Sequence, residues 1–202
     1  MEQQPIKITA EPQMEGNVCK FTLEKPLVEA GSFRFENRDE SKNSVLAQKL
    51  FSMDQVTQVF ITANSVFVTV QGMADWRMFG KQMGGLIREA VGQGQPLVNP
   101  DLINTLPSEE EIRKTVTEVL EHEINPAVAS HGGVIELLDV RKNDVFVKMG
   151  GGCHGCASST ATLKQGVEQA IRKRIPKIGA IYDTTDHAAG LNPYFRPEGS
   201  CH

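Results

Sequence analysis

One tryptophan, two tyrosines and four cysteines are few for a chain of 202 residues. Four cysteines cannot staple a chain of this size, which excludes a disulfide scaffold. No apolar run approaches the ~20 residues of a membrane helix, so no membrane association is expected. Charge of one sign is also lacking: 21 Lys and Arg against 25 Asp and Glu leave a formal −4. That balance gives no electrostatic reason to expect nucleic acid as a partner. The opening "MEQQPIKITAEPQMEG" has neither an apolar signal core nor an Arg-rich amphipathic pattern, so the chain is expected in the cytoplasm. Thiols stay reduced there, and a close cysteine pair points to metal binding or redox chemistry rather than to a structural bridge.

What is present is ordinary globular composition, with 40% hydrophobic and 23% charged residues. Two blocks of patterned sequence flank "GQGQPLVNPDLINTLPS", whose Gly, Pro and Asn content reads as a linker over residues 92–107. The first block, 1–91, opens with period-two segments: Cys19, Phe21 and Leu23 share one face, as do Phe33 and Phe35. Leu46, Ala47, Leu50 and Phe51 then fall on a helical stripe. "VTQVFIT" and "SVFVTV" predict a hairpin turning at Ala63-Asn64. Trp76, Phe79, Met83, Leu86, Ile87 and Ala90 predict a closing amphipathic helix. The order is β-β-α-β-β-α.

The second block, 108–190, starts at a capping box, Ser108 to Glu111. Ile112, Val116, Leu120 and Ile124 repeat at helical spacing until Pro126 should bend or end the helix, with His131-Gly132-Gly133 as the stop. "VIELLDV" and "DVFVKM" predict two strands joined at Lys142-Asn143. Leu163, Val167, Ala170, Ile171 and Ile175 predict a helix halted by Pro176, and "IGAIYDT" a last strand. The order is α-β-β-α-β, and residues 191–202 form a tail with little periodicity. The expected fold class is α+β, two small two-layer domains.

Chemistry concentrates in "GGGCHGCASSTATLK", Gly150 to Lys164. Cys153 and Cys156 stand between a strand and a helix start, where free N–H groups and the helix dipole favour thiolate over thiol. Gly150, Gly151, Gly152 and Gly155 carry no side chains, so backbone can approach whatever the sulfurs hold. Three chemistries can use such a pair. A thiol–disulfide oxidoreductase is one, although a thioredoxin-like motif comes early in its domain and only one helix and one strand follow here. A structural zinc module is another, needing two further ligands from His131, His154 and His187. The third is half of a four-thiolate iron–sulfur site, completed by a second copy across a twofold axis. Cys19 shares a strand face with Phe21 and Leu23 and reads as core, while Cys201 lies at the terminus. Arg172, Lys173 and Arg174 end the last helix and read as dipole-capping cations rather than as a nucleic-acid patch. No acid–base pair or nucleophile constellation stands elsewhere, so an enzyme is not expected.

The stretch "HGGVIELLDV…DVFVKMGGGCHGCASSTATLKQGVEQAIRKRIPKI" resembles the C-terminal domain of the Nfu (NifU-like) iron–sulfur carrier proteins over roughly 108–185. "LAQKLFSMDQVTQVFIT…VFVTV" and Asp75-Trp76 are similar to the N-terminal domain that some of those proteins carry. Ala157 stands where the family often has proline, and "EPQMEGNVCKF" replaces a Pro-Asn-rich opening. The resemblance implies that Cys153 and Cys156 are the cluster ligands. It also implies a [4Fe–4S] cluster shared between two subunits of a homodimer, acquired with or without an upstream assembly scaffold and handed to apo iron–sulfur proteins.

Overall fold

The computed structural model describes residues 6–14, 16–130, 132–151 and 157–184, with 157–164 described by backbone alone. The chain forms two compact units, Met1–Leu106 and Pro107–His202.

The first unit is a five-stranded antiparallel sheet with two helices on one face. Its strands are β1 (Ile8–Pro12), β2 (Val18–Leu23), β3 (Phe33–Phe35), β4 (Val56–Ile61) and β5 (Ser65–Val70), in the order β1-β2-β5-β4-β3. The register explains the alternation read from the sequence. Phe33, Ile61, Val66 and Phe21 align across four strands, and Phe35, Val59, Val68 and Cys19 form the next row. Both rows are buried under helices α1 (Val45–Leu50) and α2 (Trp76–Gly92). On the opposite face Arg34 lies 4.3 Å over the Phe60 ring. The β4–β5 hairpin turns at Ala63-Asn64, closed by the Thr62 amide donating to the Ser65 carbonyl at 2.8 Å.

The observed order is β-β-β-α-β-β-α, one strand more than expected, because β1 precedes the others. Its residues after Ile8 are exposed, so an edge strand pairing only with β2 leaves no buried period-two face to recognise.

Residues 97–106, expected within a linker, belong to the first unit. Leu97 and Val98 are buried in its core, and Leu102 and Leu106 pack against it. The Ser44 hydroxyl accepts from the Ala47 amide at 3.0 Å, capping α1, and donates to the Leu97 carbonyl at 2.7 Å. The Asn99 amide donates to the Asn43 carbonyl at 2.8 Å. The Asn99 side chain caps a short 3-10 turn over Pro100–Thr105. Turn-forming residues shape this segment locally, while two aliphatic side chains dock it.

The second unit packs helices on one face of a three-stranded sheet, β6 (Gly133–Arg141), β7 (Asp144–Gly151) and β8 (Ile181–Asp183). β6 and β7 are antiparallel, while β8 runs parallel to β7. The parallel pair requires a crossover, supplied by α5 (Ala157–Arg174). The core joins Ile112 and Val116 of α3 (Glu109–Val119) to Ile135, Val145, Val147, Met149, Val167 and Ile171. Ser108 caps α3, its hydroxyl accepting from the Glu111 amide at 3.2 Å. Burial tends to raise the Asp139 carboxyl, but hydrogen bonds from Arg141, the Val140 amide and Arg113 outweigh this and hold it below its ordinary 3.8.

Pro126 does not end its helix. The chain widens into a π turn over Leu120–Ile124 and resumes as α4 (Asn125–Ala129), with Pro126 in the first turn. Proline has no N–H to donate four residues back, and the wider turn lets the preceding Asn125 amide reach the Leu120 carbonyl instead. The helix stops where Gly132 takes φ +67° and its amide donates to the Ala129 carbonyl at 2.9 Å.

Candidate functional site

Strand β7 ends at Gly151 and α5 begins at Ala157. The thiol segment joins them. Cys153 and Cys156 lie outside the described residues, as do Cys201, His131, His154 and His187. The frame on either side of the pair is described.

On the strand side, the last ladder pairs are Val134 with Gly150 and Gly133 with Gly151. Gly151 has φ +65°, and a Cβ there would fall on the Gly132 carbonyl oxygen. A Cβ at Gly150 would come within 3.2 Å of Val134 Cγ1. The sequence reading gave these two glycines to the approach of a bound group. In the fold the bareness of Gly151 is already required by the Gly132 backbone, while at Gly150 a side chain would only crowd Val134.

On the helix side, α5 begins directly after Cys156 and runs 18 residues. Val167, Ile171 and Ile175 anchor it in the core, as the stripe predicts, with Ala170 packed against them. Two of its three C-terminal cations, Arg172 and Arg174, bond within the unit. Arg172 donates to the Ile178 and Gly179 carbonyls, both at 3.1 Å, and to Glu168 at 2.8 Å. Arg174 donates to Glu123 at 2.6 Å. These bonds turn the Arg172 guanidinium wholly onto the chain itself, while that of Arg174 remains half exposed.

The far end of the sheet is locked similarly. The buried Asn143 side chain donates to the Lys177 carbonyl at 2.9 Å, and Asp144 Oδ1 accepts from the Ala180 amide at 2.8 Å. At the turn between β6 and β7, Lys142 takes φ 54° and its amide donates to Glu109 Oε1 at 2.8 Å.

Cys19 contrasts with the pair. It is fully buried in the first unit, and burial foremost pushes its thiol up to about 11. A thiol so held is neither nucleophile nor ligand at neutral pH. Among the described residues no three His, Cys, Asp or Glu side chains could together hold a metal ion, and no helix is long and apolar enough to cross a membrane.

One residue near the site escapes the sequence reading. Asn125 turns its side-chain amide onto β6, Oδ1 accepting from the Ile135 amide at 2.8 Å and Nδ2 donating to the Ile135 carbonyl at 3.0 Å. The Asn-Pro dipeptide marks a break in the helix, but nothing in the sequence says which strand that amide meets.

Residues 116–182 match the family model described as NifU-like domain. Residues 8–94 match the one described as scaffold protein Nfu/NifU N terminal. Cys153 and Cys156 fall inside the former span. The Fe/S biogenesis protein NfuA of Pseudomonas syringae pv. syringae is 38% identical over 119 residues, covering 56% of this chain and 56% of that protein. The protein of the same name from Xanthomonas euvesicatoria pv. vesicatoria is 48% identical over 77 residues, covering 38% of this chain and 39% of that one. The match thus spans 56% of the length of the first of these relatives and 39% of the second. A NifU-like protein from Saccharomyces cerevisiae, solved by NMR, superposes with a TM-score of 0.44 at 20% identity, covering 50% of this chain and 90% of that chain. With an N-terminal unit matched by one family model and a thiol-bearing unit matched by the other, the chain belongs to the Nfu family, joining an Nfu-type N-terminal domain to a NifU-like domain.

Proposed function

We propose that this chain carries iron–sulfur clusters: Cys153 and Cys156 of two copies hold one [4Fe–4S] cluster as cargo, which passes to apo iron–sulfur proteins. The observation that carries the reading is the number and placement of thiols. The NifU-like span contains two cysteines, in a segment bounded by the end of β7 and the start of α5. Cys19 is sequestered in the other unit's core. Iron–sulfur clusters are commonly held by four thiolates, so a chain offering two completes the set with a second copy, and a twofold pair is the simplest way.

Three physical features support it. The positive end of α5 beside Cys156 favours thiolate. Gly150, Gly151, Gly152 and Gly155 bring no side chains to the thiol segment. A ligand set divided between two chains can be exchanged one thiolate at a time for those of an acceptor, so the chain releases its cargo rather than retaining it. The relatives' name, Fe/S biogenesis protein, agrees with this role. We read the chain as a cytoplasmic carrier rather than an enzyme, supplied directly or by an upstream scaffold.

The test is anaerobic reconstitution. The full chain should take up about two iron and two sulfide per copy as a dimer and pass them to an apo-[4Fe–4S] acceptor. Cys153→Ala and Cys156→Ala should each abolish uptake. Retention of the cluster by either variant would overturn the ligand assignment. Catalytic disulfide reduction without metal would favour thiol exchange instead, and stoichiometric zinc without iron a structural zinc site.

A further inference from the structure

We propose that Asn125 and the Gly132–Gly151 backbone contact form a clamp that positions the thiol segment, making Asn125 a positioning residue for cluster retention. The inference rests on the carrier reading given above.

The clamp acts on the start of β6 from both sides. β6 is an edge strand, so one side of it has no strand partner. At Ile135 that open side is taken by Asn125, whose amide donates to the carbonyl and accepts from the N–H as a neighbouring strand would. Asn125 reaches this place because the π turn over Leu120–Ile124 inserts an extra residue ahead of it. π turns of this kind often mark functional positions in a helix. On the other side, Gly133 and Val134 pair with Gly151 and Gly150. There the chain leaves β7 with φ +65° at Gly151, so close to the Gly132 carbonyl that no side chain fits. Cys153 follows two residues later. The end of β7 is therefore tied to the start of β6, and Asn125 holds β6 two residues beyond that start.

Asn125 is not itself one of the side chains of the hydrophobic core. Its bonds hold the backbone of Ile135, which packs in that core with Ile112, Val116, Val147, Met149, Val167 and Ile171. Loss of the amide should therefore lower the stability of the unit as well as free the exit of β7 to move, so release is compared with that of a core variant of equal stability.

The experiment uses the full chain, reconstituted anaerobically with iron and sulfide and then challenged with an iron chelator. Release is read from visible absorbance, cluster geometry from visible circular dichroism, and stability from urea melts of the apo forms. Asn125→Ala, Asn125→Asp and Gly151→Ala are compared with Ile181→Val, a core change that touches no part of the clamp. Asn125→Ala should release iron about tenfold faster than the unaltered chain and alter the dichroism. Asn125→Asp keeps the acceptor but sets a carboxylate oxygen against the Ile135 carbonyl in place of the donor, and should release iron at least as fast as Asn125→Ala. Ile181→Val should lose stability with neither effect. If Gly151→Ala does not fold, the Asn125 variants carry the test alone. Release by Asn125→Ala no faster than by Ile181→Val at equal stability would overturn the clamp and leave the carrier reading standing. An unaltered chain that takes up no iron and sulfide would overturn both.

Discussion

The Cys19 sulfur has no solvent-exposed surface and pairs in register with Val68 inside the first unit. Burial raises its ionisation from 9.0 to about 11, with the nearby Glu11 carboxylate adding to the rise. The folded state thus favours the neutral thiol. Its contribution to stability is complete below pH 9 and is lost as pH climbs through about 11. We expect native protein at neutral pH to leave Cys19 unalkylated by iodoacetamide while unfolded protein reacts, and Cys19→Ala to flatten the loss of stability between those pH values. Alkylation of native Cys19 at pH 7, read by mass spectrometry of its peptide, would contradict this. The same residue type at 153 and 156 sits beside glycines and a helix start. That difference was legible in the sequence, because Cys19 alternates with Phe21 and Leu23 whereas the pair does not. The roles of Gly150 and Gly151 were less legible. A glycine run reads equally as ligand approach or as backbone contact, and only the register with Gly133 and Val134 decides.

Among the elements, α2 carries glycines that its own packing does not require. Gly80 and Gly85 lie within the helix, and a Cβ at either meets nothing within 4 Å. Glycine inside a helix weakens it through backbone entropy. Gly85→Ala should therefore stabilise the first unit by about 0.5–1 kcal/mol, read as a higher urea midpoint with an unchanged slope. A lower midpoint would mean that the exposed face of α2 is under a constraint this chain alone does not display. Elements with one buried face were legible throughout: β2, β5, α2 and α3 repeat their apolar residues at the period their geometry demands. β1 was not, since an edge strand with exposed residues has no such face. Nor was the π turn, because Pro126 announces a missing hydrogen bond without saying whether the helix will end, kink or widen.

For the whole molecule, the first unit extends to Leu106, so where a fragment is cut matters. A fragment ending at residue 91 lacks Leu97 and Val98, both buried against the sheet and helices. It should be less stable than one ending at 106 by about 3 kcal/mol or more, the worth of burying two aliphatic side chains, as measured by urea denaturation of the two fragments. Equal stability would mean that the docked segment contributes nothing. Composition marked 92–107 as linker because Gly, Pro and Asn dominate it, yet its two central aliphatics find a pocket that no local pattern describes. The sequence by itself determined the α+β class, most element positions, the thiol pair and the family resemblance, since each depends on short-range periodicity or on residues close along the chain. Tertiary structure alone decided the edge strand, the docking of Leu97 and Val98, the meeting of Asn125 with Ile135 and the contact of Gly151 with Gly132. These join residues distant in sequence, and their energies come from surfaces that exist only once the sheets have formed.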